Sequence, residues 1–267
     1  MRRLIRAILS IITLVIVLAV AAIVVAILFT DKAVKTIVET AGTKTLNVGV
    51  QVGKANASLL SGAVKLQDIT IANPPGYQGA ALVKLQRVDI QADAASVLGK
   101  QVLIKDMKLQ NMEVFIEQKG LQNNLYQVVK PLREPRQATG KSLVIDNLEI
   151  SSITVHAGLA ALPGQPQSVE LKLASIRMTD LGRHEKMDTA VLISKILLAV
   201  AAGIAEQGGN ILPKETIGDL GSILDKAIDI GKIIFGPGKT SDGQQKDSLG
   251  KSAIDGIKDL FGGKKKE

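Results

Sequence analysis

A short unit, reading apolar, any, Asp or Asn, apolar, any, apolar, recurs through the middle of the chain and constrains its fold more than any other feature. It appears as Leu66-Gln67-Asp68-Ile69-Thr70-Ile71, Ile104-Lys105-Asp106-Met107-Lys108-Leu109 and Ile145-Asp146-Asn147-Leu148-Glu149-Ile150. Leu85-Gln86-Arg87-Val88-Asp89-Ile90 and Leu173-Ala174-Ser175-Ile176-Arg177-Met178 keep the frame with a different third residue. Each copy contains a slip of phase. Ile104 and Asp106 share parity while Met107 and Leu109 take the other, so a flat strand would put Ile104 and Leu109 on opposite faces. A β-bulge or sharp bend at the Asp or Asn returns them to one face. In two copies a second slip follows, giving Met112-Val114-Ile116 and Ile153-Val155. The unit predicts strand, bend, strand, with an apolar face on each.

Turn residues separate these strands at Asn73-Pro74-Pro75-Gly76, Val97-Leu98-Gly99-Lys100, Gln118-Lys119-Gly120 and Leu162-Pro163-Gly164. Pro74 and Pro75 lack the backbone donors that a ladder needs, so the strand before them must stop. With Gly76 and Tyr77 they also spell a ligand for a WW-type module. Strand termination explains the same residues without a partner. Asn56-Ala57-Ser58 is a formal glycosylation sequon, for which chance is the better explanation.

From Ala7 to Phe29 only Ser10 and Thr13 interrupt a run of hydrocarbon and Phe side chains. As a helix it would span roughly 35 Å, enough for a bilayer core. Ala19-Val20-Ala21 resembles a signal-peptide cleavage site, but the apolar run continues well beyond it and exceeds the usual signal core of about 7–15 residues. An uncleaved anchor is the better reading. Arg2, Arg3 and Arg6 precede it and mixed charges follow, so its N-terminus is expected in the cytoplasm and the rest of the chain outside.

From Met187 the apolar period changes from two to about 3.6. Val191, Ile193, Ile196, Leu197, Val200 and Ile204 predict one helix, with an apolar stretch from Ile196 to Ala205 too short to cross a bilayer. Ile217, Leu220, Leu224, Ala227, Ile228 and Ile234 predict a second, and Ile254, Ile257, Leu260 and Phe261 a short third. Such helices either cover one face of the sheet or lie on a membrane surface, with Lys258 and Lys264 to Lys266 attracted to anionic lipid. Residues 236–252 are a Gly, Ser and charge-rich linker.

The chain offers little for catalysis. It has no Cys, no Trp, two His and 2% aromatic residues, so its core is aliphatic and thiolate chemistry is excluded. Its net charge of +8 lacks the aromatic platforms or dense basic helix of a nucleic-acid binder. His184-Glu185-Lys186-Met187-Asp188 falls one His short of the HExxH zinc motif. Asp180 as a helix N-cap accounts for the acidic residues around it. Gly236-Pro237-Gly238-Lys239-Thr240 lacks the first glycine of a P-loop and reads as linker. No Ser-His-Asp constellation emerges around His156 or His184. No catalytic, cofactor-binding or metal-ligating residue is assigned, and no cofactor is expected.

In order, the apolar N-terminal run, "VKLQDITIANPPGYQGAALVKLQRVDIQADAASVLGKQVLIKDMKLQNMEVFIEQKG", Asn123-Asn124 and "SLVIDNLEISSITVHAG" resemble the N-terminal region of AsmA-like proteins of the bacterial envelope. The resemblance covers about residues 1–180 and marks a short member, since larger ones are long enough to bridge the periplasm. It implies an inner-membrane anchor, a periplasmic sheet with an apolar concave face, and a role in moving or balancing lipids between envelope membranes. The expected fold is α+β: an N-terminal transmembrane helix, a periplasmic antiparallel, curved β-sheet of repeated strand units, and C-terminal amphipathic helices. The expected divisions are an anchor over 1–30, a connecting helix or linker over 31–62, a β-rich domain over 63–182, a helical region over 183–235, the linker over 236–252 and a basic amphipathic tail over 253–267. The expected protein is a single-pass inner-membrane protein that handles lipid acyl chains without chemistry. Its lipid-facing candidates are Ile104, Leu109, Val114, Ile145 and Ile150, and its partners are membrane lipid and other envelope proteins rather than nucleic acid. The alternative is a membrane-tethered structural or interaction module with a closed core.

Overall fold

The computed structural model describes residues 31–58, 60–119, 122–133, 138, 141–158, 168–209 and 233–235, together with 212, 217, 218 and 220. The expected transmembrane run, the turn at 162–164, most of the second C-terminal helix, the third helix, the linker 236–252 and the basic tail lie outside the described residues. What is described is α+β, built on one large mixed sheet.

A helix, α1, occupies residues 31–46. The strands that follow are β1 (Val50–Ser58), β2 (Ala63–Ala72), β3 (Ala81–Ala92), β4 (Gln101–Lys119), β5 (Gln122–Asn123), β6 (Ser142–Gly158), β7 (Ser168–Leu173), β8 (Ile176–Leu181) and β9 (Ile233–Phe235). The order across the sheet is β1-β2-β3-β4-β6-β8-β9, with β5 paired to β4 and β7 to β6. A short helix α2 (Asn124–Val129) lies between β5 and β6, and α3 (Thr189–Gln207) follows β8. The segment expected as connecting helix or linker thus contributes β1, and the expected helical region ends in the short strand β9.

One pair departs from the expected antiparallel sheet. β4 and β6 are parallel, because the chain returns through α2 to the end at which β4 began. The pairing sets the two repeat copies side by side without offset: Ile104 lies opposite Ile145, Asp106 opposite Asn147, Met107 opposite Leu148 and Leu109 opposite Ile150. Both copies face their apolar residues to the same side, and Ile104, Met107, Leu109, Met112, Val114 and Ile116 are all buried.

The phase slips are real and run across the sheet as two creases. Asp68 in β2, Asn111 in β4 and Ser152 in β6 all take positive φ, from 54° to 57°. The ladder register places Asp68 and Asn111 on either side of Gln86, and Ser152 beside Asn111. Asn111 Nδ2 donates to Gln86 Oε1 across this line at 2.5 Å. Gly53 of β1 faces Asp68, and a Cβ there would lie 2.8 Å from the Asp68 Cβ. The line ends at Ala174 and Ser175, so the fifth repeat copy is not one strand but the break between β7 and β8. A second crease passes through Lys105, Asp146 and Asp180, the last with φ of 56°. Here the bend falls one residue before the expected Asp106 and Asn147. Asn147 instead spans it, donating from Nδ2 to the Lys105 carbonyl at 3.3 Å. Breaks of this kind bend a strand and restore its side chains to one face.

Asp180 is therefore a strand residue and not a helix cap. Asp188 caps α3, accepting from the Val191 amide at 3.0 Å, while His184 lies in the intervening loop, away from any helical i, i+4 spacing. The apolar stretch of α3 extends beyond the expected Ile196 to Ala205, so that by length and composition alone the helix, contrary to expectation, could cross a bilayer. In this fold it is a core helix: every residue from Ser194 through Ala205 is buried, and it packs on α2, β7 and β8. Its one buried ammonium, Lys195, pairs with Glu185 at 2.6 Å.

The free edge of the sheet at β1 is covered by α1. Asp31 Oδ1 accepts from the Ala57 amide at 2.6 Å, Glu39 Oε1 from Val52 at 2.8 Å, and Thr43 Oγ1 from Val50 at 3.0 Å. Three edge donors of β1, at Val50, Val52 and Ala57, are thus satisfied and withdrawn from pairing with another strand. The other end of the sheet is closed by the Asn-Pro-Pro-Gly loop. Glu117 accepts from the Gln78 and Gly79 amides, and Lys119 Nζ donates to the Gly76 carbonyl at 2.8 Å. That loop is fastened to β4, as strand termination required.

Candidate functional site

Among the described residues, helix fills only part of the apolar face. Over β6 and β8, α3 and α2 close the core. Over β1 to β4, a cavity of about 320 Å³ remains between the sheet, α1 and the first turns of α3. Its walls are Val50, Leu66, Ile69, Val83, Leu85, Val88, Ile104, Met107, Leu109 and Met112 of the strands, Val34, Val38 and Leu46 of α1, and Leu192, Ile193, Ile196 and Leu197 of α3. Among the described residues, Ser58 and Thr189 contribute the only side-chain hydroxyls and no ionisable side chain lines it.

The cavity opens at one end of the sheet. Val64, Ile90, Val97 and Val102 on its wall are half-buried, and Ile37 is 57% exposed. A void this size holds water only where polar groups can bind it, and an apolar void of roughly 150 Å³ already stays dry and takes up hydrocarbon. Pockets for small ligands begin near about 300 Å³. The geometry suits a hydrocarbon chain entering from the open end.

Of the five lipid-facing candidates, Ile104 and Leu109 stand on the cavity wall. Val114, Ile145 and Ile150 are fully buried in the closed half of the core and do not line it. The strand pattern identified the apolar face but not which part of it the helices cover. Reasoning from the sequence also missed α1 as a wall. Val34, Val38, Gly42 and Leu46 recur at a spacing of four and all line the cavity, a helical stripe that was legible.

The sequence profile of the AsmA family matches residues 1–198 of the 267. The chain belongs to the AsmA family. No curated protein sequence and no solved structure matches it. The AsmA family is associated with bacterial envelope membranes. The matched region takes in the whole of β1 to β8, α1, and the half of α3 whose Leu192, Ile193, Ile196 and Leu197 face the cavity. The AsmA-type region is therefore the part of the chain that builds the cavity.

Proposed function

We propose that this AsmA-family protein is a non-enzymatic, membrane-anchored lipid-handling protein that takes an acyl chain into the cavity between α1, α3 and strands β1 to β4. The observation that carries this reading is an open cavity of about 320 Å³ with no charged side chain among the described residues that line it. Each methylene moved from water into such a site contributes about 0.8 kcal/mol, so an acyl chain needs no specific polar contact to bind. The apolar run over residues 7–29 would anchor the chain in the inner membrane with its N-terminus in the cytoplasm and the sheet in the periplasm.

The reading is tested by placing a photoreactive diazirine residue at Ile104 or Leu109 of the full chain in native membranes, with Lys105 and Lys108 on the opposite face as controls. Lipid adducts at the first pair alone are expected. Equal labelling at all four, or adducts joining Ile104 and Leu109 only to α3, would overturn it. The second reading, a tethered structural module, is favoured by the burial of α3 from Ser194 to Ala205. It predicts the α3 adducts and no lipid.

A further inference from the structure

Four large apolar side chains are exposed among the described residues: Ile37 at 57%, Leu60 at 90%, Leu98 at 84% and Leu103 at 43%. Isolated exposed leucines are ordinary on a protein surface. These are not isolated, because Leu60, Leu98 and Leu103 fall at one end of the sheet and Ile37 lines the cavity that opens there. Leu60 lies in the β1–β2 turn, Leu98 ends a 3-10 turn between β3 and β4, and Leu103 is the third residue of β4. The register brings the segments together: Ser58 faces Ala63, Ala63 faces Gln91, and Ala92 faces Ile104. The two connections are also joined. The Ala92 amide donates to the Gly62 carbonyl at 2.8 Å, and Gln91 Nε2 donates to the Ser61 carbonyl at 2.7 Å. Gly62 takes φ of 67°, and a Cβ there would run into the Ala92 carbonyl oxygen, so the turn is held close against its neighbour. Leu103 donates its amide to Ser96 Oγ at 3.0 Å, and Lys141 Nζ holds the Val97 carbonyl at 2.8 Å. The leucines therefore sit on a braced lip.

The chain itself indicates what meets this lip. The apolar run over residues 7–29 ends two residues before Asp31, and Asp31 is hydrogen-bonded to the Ala57 amide at the foot of the same turn. Exposed Lys100 and Lys141 flank the leucines, suited to the phosphates of a bilayer interface. We propose that Leu60, Leu98 and Leu103 form a lip that inserts into the phospholipid bilayer holding the anchor, setting the mouth of the cavity against the acyl chains. The proposal rests on the lipid-handling reading for its purpose but not for its test.

Because the chain contains no Trp, single substitutions report alone. Full-length Leu60→Trp and Leu98→Trp, and Gln122→Trp at the opposite end of the sheet, would be reconstituted into phosphatidylcholine and phosphatidylglycerol vesicles with and without brominated acyl chains. The lip tryptophans are expected to emit at shorter wavelength than Gln122→Trp and to lose most of their emission to brominated lipid, with Gln122→Trp unquenched. Red-shifted, unquenched emission at both lip positions would overturn the proposal. So would blue-shifted emission without quenching, because a second copy or another protein would then cover the leucines. Diazirine labelling at Ile104 in the same vesicles separates the two ideas. Quenching at the lip without lipid adducts in the cavity leaves the docking surface standing and removes the lipid-handling reading, and adducts without quenching do the reverse.

Discussion

Asn124 makes four hydrogen bonds from one fully buried side chain. Its Nδ2 donates to Asn73 Oδ1 and to the Phe115 carbonyl, both at 2.7 Å, and its Oδ1 accepts from the Glu117 and Leu125 amides, both at 2.9 Å. Asn124→Ala strands several of these groups away from water and should lower stability by on the order of 3 kcal/mol, read from thermal unfolding in detergent. A wild-type melting curve would show that the loop is held elsewhere. On the outer face, charge alternates along a line through five strands: Lys65, Asp89, Lys108, Glu149 and Arg177 each lie opposite the next. Asp89 also accepts a hydrogen bond from Arg87, and this bond, with lesser attraction from Lys65 and Lys108, holds its carboxyl below the usual range. A carboxyl depressed on folding adds stability above its unfolded value near about 3.9 and loses it as pH falls through the folded value. Asp89→Asn should therefore flatten the acid limb of the stability curve below about pH 4 and leave its shape above unchanged. Asp89→Lys, placing like charges in a row, should destabilise at every pH by on the order of 1 kcal/mol. Four members of this line, Asp89, Lys108, Glu149 and Arg177, occupy the fifth position of the repeat. That position reads as "any" along one strand, and its alternation appears only when strands are set side by side.

At the level of elements, the repeat showed where strands bend because a phase slip is a local property of the chain. Asp68, Asn111 and the pairs flanking Lys105 and Asp146 all lie within a residue of where parity changes. The parallel pairing of β4 and β6 was not legible, because it depends on where the connection through α2 returns and not on either strand. α3 was visible as a periodic stripe from Val191 to Ile204. Its burial on every side was not, because an all-apolar helix reads alike in a core and in a membrane. α1 was expected only as a connecting helix or linker over 31–62, and its role at the sheet edge was not legible because it lies in Asp31, Glu39 and Thr43, whose oxygens accept from β1 amides at 2.6 to 3.0 Å. Hydrogen exchange tests that role. Glu39→Ala should speed exchange at the Val52 amide roughly tenfold, equivalent to one hydrogen bond of about 1.4 kcal/mol, while amides between β2 and β3 keep their protection. Faster exchange throughout the sheet would mean instead that α1 supports the core by packing alone.

Across the whole molecule, the AsmA-type region places a closed core and an open cavity on the same apolar face, and which half matters is settled by filling the open one. Val64 and Ile90 face each other across β2 and β3 on the cavity wall, and both are half-buried. Replacing both with Phe directs new bulk into the void without displacing α3. If the cavity is unfilled in the working protein, the double variant should gain stability by about 0.5–2 kcal/mol, as cavity filling commonly does. If an acyl chain occupies it, the gain appears only in lipid-free protein. A ligand bound at a hundred times its Kd adds about 2.7 kcal/mol to the wild type, which the variant would forgo. The melting temperature of the wild type should therefore rise on addition of lipid while that of the variant stays still, and lipid adducts at Ile104 and Leu109 should fall several-fold. Equal lipid-induced shifts in the two proteins would place the bound chain elsewhere. The cavity would then be a packing defect between the sheet and the two helices, α1 and α3, that wall it.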